Sequence, residues 1–347
     1  MVKNRTINMS LRVHFSSNPV LHPLYSKLPG MLRILLIKTS SLGDVVHNLP
    51  VVTDIHRQFP HATIDWVVEE SYTPLARLHP AVGSVIPVAV RRWRRTLLNR
   101  ATWNDMGAFR RRLRAENYDV VIDTQGLIKS ALIARSAHGR SHGFDASSAR
   151  ESLAAHFYDA THHVAKGQHA VLRNRQLAAA ALGYRVGDVT DYGLSGLNRS
   201  KISSVPYCVL LHGTSRADKL WSADAWIELG GRLASHGFMC VLPWGDEAER
   251  KRSEQIAASL GNASVPAKMP LDDMVQLLAA SAAVVGVDTG LVHLAAALGL
   301  PVVAIFVGSD PALTGVFGVP HCRNLGIHGT APSPASVFDA LAELRVF

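Results

Sequence analysis

The chain is long and apolar enough for two folded domains: it has 347 residues, of which 48% are hydrophobic. No apolar stretch reaches the roughly 20 residues that a membrane-spanning helix needs, so no such helix is expected. The net charge of +9 is unevenly distributed, because residues 31–190 hold 21 basic and 13 acidic side chains while residues 191–347 hold 11 and 14. We therefore expect the first half to face an anionic partner.

The first thirty residues differ from the rest of the chain. They carry four basic residues, no acidic residue and no continuous apolar core. We expect residues 1–30 to be a disordered extension without a secretory signal, and the folded protein to begin at Met31. The three cysteines show no metal-binding spacing, and Cys208 and Cys240 lie in apolar runs, which favours reduced thiols and a cytoplasmic protein.

Strand-like runs alternate with helical patterns from Met31 onward. The predicted strands are short, rich in Val and Ile, and bounded by turn residues: "LRILLIK", "TIDWVVE", "SVIPVAV" and "DVVIDTQ". Between them, "MGAFRRRLRAENY" has the pattern of a helix. This alternation predicts a parallel sheet covered by helices over residues 31–186.

A polar, turn-rich segment, residues 187–205, interrupts the alternation and is the predicted linker. A second domain over residues 206–331 has the predicted strands "YCVLLHG", "FMCVLPWG", "AVVGVD" and "PVVAIFV". Its helical patterns are "SADAWIELGGRLASHG", with Ser222 as the N-cap and Gly237 at the end, and "LDDMVQLLAASA". "PSPASVFDALAEL" predicts a final helix within residues 332–347.

The predicted fold class is therefore α/β, with two Rossmann-like domains whose parallel sheets face each other across a central cleft. Open parallel sheets bind ligands beyond the carboxyl ends of their strands, which places the candidate site in that cleft. Neither half contains GxGxxG, so a dinucleotide-dependent dehydrogenase is disfavoured.

The most informative stretch is "VGVDTGLVHLAAALGLP", residues 285–301. A buried strand ends at Asp288, Thr289 and Gly290 form the turn, and a helix of small residues follows. The N–H groups and dipole at a helix N-terminus suit a phosphate, Gly290 lets an anion approach the backbone, and His293 lies one turn further on. The local alternative is an N-cap at Asp288 or Thr289, with His293 packed against the sheet.

Two further strand ends in the second half carry polar groups. "LHGTSRADKLW" supplies Thr214 and Ser215 as donors to phosphate oxygens and Lys219 as a counter-charge, and "LPWGDEAER" supplies Glu249 for a ribose or base edge. The plainer alternatives are a solvated lysine and a first-turn helix carboxylate. Three such strand ends in one half favour a nucleotide diphosphate site.

The first half offers a carboxylate and a set of cations. Asp44 follows the first strand in "KTSSLGDVVHNLP", either as a general base facing the cleft or as a stabilising charge at a helix N-terminus. The candidate anion-binding residues are Arg91, Arg92, Arg94, Arg95, Lys129 and Arg150. No aromatic platform, RNP-like motif or finger spacing accompanies them, so nucleic acid is not the expected partner.

Together these motifs resemble the heptosyltransferases of glycosyltransferase family nine, which have a GT-B fold. The resemblance runs from about Met31 to near Gly318 and rests on "KTSSLGDVVHNLP", "DWVVEE", "VIPVAVRRWRR", "DTQGLIKSA", "QHAVLRNR", "ADKLW", "LPWG" and "VDTGLVHLAAAL". "DTGLVH" alone is typical of the wider family. "RRWRR" and "DTQGLIKSA" favour the first of the lipopolysaccharide heptosyltransferases over the second.

The resemblance implies transfer of L-glycero-D-manno-heptose from ADP-heptose to the Kdo of Kdo2-lipid A, with inversion at the anomeric carbon. It makes Asp44 the catalytic base and the six cations above the acceptor contacts. The implied donor-binding residues are Thr214, Ser215, Lys219, Glu249, Met269, Asp288, Thr289, Gly290 and His293. It implies no metal and no cofactor, and a peripheral protein on the cytoplasmic face of the inner membrane.

The sequence also departs from the family pattern. Ser215 stands where a second threonine is common, and shortened spacing after "LPWG" makes Glu247 compete with Glu249 for the nucleoside. Residues from Val319 onward diverge. The open alternatives are a heptosyltransferase II-like or other nucleotide-sugar transferase with a different acceptor, and a nucleotide-sugar-binding protein without catalysis.

Overall fold

A computed structural model describes residues 31–196 and 203–347, which form two halves, each built around a six-stranded sheet. The strands of the first half are β1 Arg33–Ile37, β2 Thr63–Glu69, β3 Val82–Val88, β4 Asn117–Asp123, β5 His138–Phe144 and β6 Ala160–His162. They lie in the order β3-β2-β1-β4-β5-β6, and each neighbouring pair is parallel.

The second sheet repeats the arrangement of the first. Its strands are β7 Tyr207–Leu211, β8 Met239–Val241, β9 Ala263–Ser264, β10 Ala283–Val287, β11 Val302–Ile305 and β12 Cys322–Leu325. They lie in the order β12-β11-β10-β7-β8-β9, again with parallel neighbours. Each half thus has the Rossmann strand order, and the predicted α/β class with a GT-B arrangement of two parallel sheets is confirmed.

Helices connect the strands, as parallel neighbours require. In chain order they are α1 Leu42–Val46, α2 Leu49–Gln58, α3 Thr73–Arg77, α4 Val90–Trp93, α5 Arg100–Leu113, α6 Ile128–Ser136, α7 Ala170–Leu182, α8 Ala223–Ser235, α9 Glu247–Ala258, α10 Leu271–Ala279, α11 Gly290–Ala297, α12 Pro311–Thr314 and α13 Pro334–Glu343. Three short 3₁₀-helices cover Glu70–Tyr72, Ser152–Phe157 and Ala217–Lys219. No helix within the described ranges is long and apolar enough to cross a membrane.

The predicted domain boundaries stay predictions, although the strands and helices lie on the expected sides of the predicted linker. The predicted linker, residues 187–205, lies between the end of α7 at Leu182 and the start of β7 at Tyr207, and its residues 197–202 fall outside the described part. The predicted disordered extension, residues 1–30, also lies outside it. The final helix α13 packs on the second half through Val337 and Leu341, which are fully buried.

Strand β1 shows why both faces of each sheet are apolar. Ile34 and Leu36 belong to one core cluster, and the alternating residues Leu35 and Ile37 belong to another, because successive side chains of a strand point to opposite faces. The first of these clusters also contains Val209 of β7, so a single core continues from one half into the other. Such two-sided burial explains the unbroken apolar runs of the sequence.

This topology also positions the candidate site. In each half the strand order reverses between two central strands, β1 and β4 in the first and β7 and β10 in the second. The loops that follow these two strands run to opposite sides of the sheet and leave a crevice between them. Asp44 follows β1, and Asp288 and Thr289 follow β10. The two crevices face each other, which brings these loops to one cavity.

Candidate active site

A cavity of about 360 Å³ lies between the two halves. Asp44 and Arg150 of the first half line it together with Lys219, Asp288 and Thr289 of the second. The remaining lining residues are Ser41, Leu42, Gly43, His47, Tyr72, Thr214, Ser215, Gly290, His293 and Thr314. Residues that the sequence assigned to catalysis and to the donor phosphates therefore share one cavity.

Asp44 is held at the N-terminus of α1. Its Oδ2 accepts hydrogen bonds from the backbone N–H of Ser41 (2.9 Å) and from the Ser41 hydroxyl (3.2 Å). Its Oδ1 pairs with the Arg150 guanidinium at 2.5 Å. The carboxylate is therefore fixed in direction before any ligand binds, which a group that must orient a hydroxyl requires.

The electrostatic environment keeps Asp44 ionised. Burial raises the pKa of this carboxyl, but the charges of Lys38 and Arg150 and the hydrogen bonds from Arg150 and Ser41 outweigh it, so the pKa lies well below its usual value. Burial in turn lowers the pKa of Lys38 to about 8, more than the Asp44 charge raises it. The Lys38 ammonium donates to the Thr124 carbonyl at 2.8 Å.

A second polar cluster surrounds Asp288 on the opposite wall. Its Oδ2 pairs with the Lys219 ammonium at 2.5 Å and accepts from the Ser309 hydroxyl at 2.6 Å, and its Oδ1 lies 3.4 Å from Nε2 of His293. Burial raises the pKa of Asp288, but the bonds from His293, Lys219 and Ser309 bring it well below the ordinary value. Asp288 therefore positions Lys219 at the edge of the cavity.

The N-terminus of α11 completes this wall. Thr289 is its N-cap residue, and the Thr289 hydroxyl is buried without a hydrogen-bond partner in the described part of the chain. An unpaired buried hydroxyl costs free energy, so a ligand that bonds to it is favoured. With the first N–H groups of α11 and Lys219 beside it, this wall suits an anion.

Two histidines join the halves next to the cavity. Nε2 of His47, from the first half, lies 3.3 Å from Nδ1 of His293, from the second. Burial lowers the pKa of His47 well below its usual value, and the neighbouring His293 and His169 lower it further. The His47 ring is therefore neutral, and its contact with His293 links Asp288 to the first half.

Gly290 allows the two halves to touch. A Cβ built on Gly290 lies 2.5 Å from Cδ2 of Leu42 and 2.7 Å from the backbone N of Gly43, both in the first half. The sequence predicts that this glycine lets an anion approach the backbone. In the structure its missing side chain makes room for α1, so the position serves the approach of the halves.

We expect Gly290→Ala to lower kcat/KM for the donor about tenfold, because overpacking this contact costs about 1–3 kcal/mol and holds the halves apart. Gly231→Ala is the matched control, since a Cβ at Gly231 in α8 meets no atom within 4 Å. Steady-state kinetics of both variants measure the effect. Equal activities would show that the α1–α11 contact is unimportant for turnover.

A second cavity of about 500 Å³ adjoins the first and shares six lining residues with it: Leu42, Tyr72, Thr214, Ser215, Thr289 and Gly290. Its other lining residues are Leu211, Gly213, Pro243, Trp244, Gly245, Glu249, Met269, Leu271, Met274 and Leu291. The mixture of apolar side chains with one carboxylate suits a nucleoside.

The structure separates the two glutamates that the sequence left in competition. Glu249 lies on the wall of the second cavity, where its Oε2 accepts from the backbone N–H of Gly245 at 2.7 Å. The Glu247 side chain is 60% exposed and pairs with Arg250 at 2.5 Å. Only Glu249 is therefore placed to contact a ligand there.

Two of the six predicted acceptor contacts lie in or next to the cavity. Arg150 lines it, and Arg91 donates to the Tyr72 hydroxyl at 3.0 Å, so Arg91 is one residue removed from it. Lys129 lies on α6 and lines neither cavity, and its charge acts on Glu69, whose Oε1 accepts from the backbone N–H of Arg91.

The other three arginines line neither cavity. Arg92 pairs with Glu70 at 3.1 Å and with Asp105 at 2.7 Å on the outer surface. Arg94 and Arg95 are exposed and have no ion-pair partner within residues 31–196 and 203–347. Their placement supports a role at the rim or outside the cleft.

Several lining residues escaped the sequence reasoning. Tyr72, His47 and Trp244 line the cavities, and the Ser309 hydroxyl donates to Asp288. Each is a single residue in an ordinary context, and its position depends on tertiary folding. Lys38 carries a usable signal, because it comes directly after β1 and before the turn that holds Asp44. A lysine at a strand end is a candidate by the same rule that identified Asp44.

Comparison with known proteins adds independent information. A profile of glycosyltransferase family 9 (heptosyltransferase) matches residues 106–335. The chain is 45% identical over 291 residues to lipopolysaccharide heptosyltransferase 1 of Escherichia coli (strain K12), across 83% of this chain and 91% of that protein. A solved structure of E. coli heptosyltransferase WaaC with ADP-2-deoxy-2-fluoro heptose has a TM-score of 0.82 and 40% identity, and the match covers 90% of this chain and 99% of that one. Similarity to lipopolysaccharide heptosyltransferase 2 of E. coli (strain K12) is 33% over 102 residues, 28% of this chain and 29% of that protein.

Proposed function

The chain belongs to glycosyltransferase family 9, the heptosyltransferases, and from this premise we propose that it transfers L-glycero-D-manno-heptose from ADP-heptose to the Kdo of Kdo2-lipid A in lipopolysaccharide inner-core synthesis. The observation that carries the proposal is the single cavity that Asp44 of one half and Lys219 and Thr289 of the other line together. A transferase needs a nucleophile-activating group and a leaving-group site on opposite sides of the reacting carbon. This cavity offers both.

The donor is expected to occupy both cavities. Its adenosine fits the larger one beside Glu249 and Met269, and its diphosphate fits the junction at Thr214 and Thr289, which line both cavities. A diphosphate repels Asp288, so we assign to Asp288 the positioning of Lys219 and His293 instead of direct phosphate contact. The sugar then projects toward Asp44.

Inversion at the anomeric carbon needs the attacking hydroxyl and the departing ADP on opposite faces of the sugar, as in inverting glycosidases. Asp44 accepts the proton of a Kdo hydroxyl while the new carbon–oxygen bond forms. Because its pKa is far below the usual value, Asp44 is a weak proton acceptor. We therefore assign the larger part of its effect to holding the hydroxyl and stabilising positive charge on the sugar.

Departure of ADP is assisted from the other wall. Lys219, the Thr289 hydroxyl and the N-terminus of α11 stabilise the negative charge that grows on the leaving diphosphate. Contact between α1 and α11 encloses the reacting atoms, which keeps water from acting as the acceptor.

We expect Glu249→Ala to raise the Kd for ADP about tenfold or more, because a hydrogen bond to a charged group contributes about 1.5–3 kcal/mol. Glu247→Ala is the matched control and should change the Kd less than about twofold, since Glu247 lies outside the cavity. Titration calorimetry measures both constants. A larger effect of Glu247→Ala would reverse the assignment.

The transfer itself is tested by mixing the purified protein with ADP-heptose and Kdo2-lipid A and determining the product mass. We expect one heptose to be added to Kdo2-lipid A and ADP to be released. A product formed only with an acceptor that already carries heptose would identify a heptosyltransferase II-like enzyme. Donor binding without consumption would identify a binding protein without catalysis.

The cellular location follows from the proposed acceptor. Kdo2-lipid A is a membrane lipid, so we propose a cytoplasmic protein that binds peripherally to the cytoplasmic face of the inner membrane. The basic excess of residues 31–190 supports this, because anionic lipids attract basic surfaces.

A further inference from the structure

An exposed apolar tip lies on the first half, where the connection after α4 meets the first turn of α5. It consists of Leu97, Leu98 and Trp103, of which Leu98 is fully exposed and Trp103 is 59% exposed. Scattered apolar residues are ordinary on protein surfaces, but three that are held together indicate an interaction surface.

Hydrogen bonds hold the tip in this shape. The indole N–H of Trp103 donates to the backbone carbonyl of Leu97 at 2.8 Å, and the hydroxyls of Thr96 and Thr102 lie 2.8 Å apart across the turn. Thr102 itself is buried. The two leucines therefore lie on a turn that hydrogen bonds hold in place. Their exposure does not contribute to folding.

Basic side chains surround the tip. Residues 91–104 contain five arginines and no acidic residue. Glu70 and Asp105 neutralise Arg92, but Arg94, Arg95 and Arg100 have no ion-pair partner in the part of the chain that the structure describes. An apolar centre with a basic rim matches a bilayer with anionic headgroups, and tryptophan favours the boundary between headgroups and acyl chains.

The tip also belongs to a segment that contacts the lining of the two cavities. Arg91, in the same segment, donates to Tyr72, which lines both cavities. The second half has more acidic than basic residues, so an anionic surface repels it and attracts the first half. Charge therefore favours contact of an anionic membrane with the first half, which carries the tip.

We propose that Leu97, Leu98 and Trp103 insert into the headgroup region of an anionic phospholipid bilayer, with Arg94, Arg95 and Arg100 bound to lipid phosphates. The inference rests on the proposed function only in that it explains how the enzyme reaches a membrane-embedded acceptor. Binding to phospholipid does not require that acceptor.

The test uses the full chain and sedimented vesicles of phosphatidylethanolamine and phosphatidylglycerol without Kdo2-lipid A. We expect the protein to bind these vesicles and not vesicles of phosphatidylcholine alone. Leu97→Asn/Leu98→Asn should lower the partition coefficient at least about tenfold, since burial of a leucine side chain is worth at least that factor. Ile327→Asn, at a residue 63% exposed in the second half, is the control and should change it less than about twofold.

A second readout separates this inference from the proposed function. The double variant should bind ADP normally and transfer heptose to detergent-dispersed Kdo2-lipid A at the normal rate, but lose activity on the same acceptor in vesicles. Equal vesicle binding by variant and unchanged protein would overturn the inference. Vesicle binding that needs Kdo2-lipid A would assign the tip to the acceptor. A dimer that is lost in the variant would assign the tip to contact with a second copy of the chain. Either result would also overturn the inference.

Discussion

Asp44→Asn is expected to lower kcat for heptose transfer about 100-fold or more, the range for loss of a positioned general base. The variant keeps the size of the side chain and one oxygen that can accept from Ser41 and Arg150. It loses the negative charge that orients the hydroxyl and stabilises the sugar cation. Because Asp44 lies across the cavity from the phosphate-binding wall, the Kd for ADP should stay within about twofold.

Steady-state kinetics measures kcat, and titration calorimetry of the same preparation measures the Kd for ADP. Asp188→Asn is the control, an exposed carboxylate of the predicted linker outside both cavities, and should retain normal turnover. A kcat within about threefold of the unchanged protein would remove Asp44 from the catalytic role and leave it as a helix-terminal charge.

The second large effect is expected at Lys219. Lys219→Met should lower kcat/KM for ADP-heptose about 100- to 1,000-fold, the range for removal of one preorganised charge-stabilising donor. The variant also leaves the buried Asp288 carboxylate without its closest cation, next to the site of the diphosphate. Both effects oppose charge development on the departing ADP. Lys251→Met, an exposed lysine on α9, is the control and should have normal kinetics.

A double-mutant cycle separates the two effects of Lys219. If Asp288 acts by holding Lys219, then Asp288→Asn added to Lys219→Met removes an unpaired charge and should restore ADP affinity about tenfold, without restoring kcat. The free energies of the two single changes would then not add. Strict additivity would place the two residues in separate roles and contradict the assignment of Asp288.

The fold was largely predictable because the central strands are buried on both faces. "TIDWVVE" corresponds to β2, and the run "YCVLLHG" contains β7, since both are short segments rich in apolar residues. Strand β5, "HGRSHGF", was not predicted because it is polar and short of β-branched residues. Strand β9 has only two residues, too few for any periodicity to be visible.

The local helix signals were also reliable where a side chain itself makes the cap. The Ser222 hydroxyl accepts from the backbone N–H of Ala225 at 3.2 Å, and Gly237 has a φ of 83°, as the predicted ends of α8 require. By contrast, the predicted start of α5 at Met106 was six residues too late. Asn99 caps that helix instead, accepting from Ala101 at 2.9 Å.

The candidate site was partly predictable because polar residues at strand ends share one edge of a sheet. This rule predicts that Lys219 and Asp288 lie at one edge of the second sheet and that Asp44 lies at the comparable edge of the first. Pairings across the cleft, such as His47 with His293 or Gly290 with Leu42, join residues more than 200 positions apart. Nothing local encodes such contacts, so only tertiary structure reveals them.

The most direct measurement is a structure of this protein with bound ADP-2-deoxy-2-fluoro heptose. We expect the diphosphate to contact Lys219 at about 2.7–2.9 Å and the N-terminus of α11, with the Asp44 carboxylate on the face of the anomeric carbon opposite the leaving oxygen. A donor bound with its diphosphate away from Thr289, or with Asp44 on the same face as the departing ADP, would contradict the account.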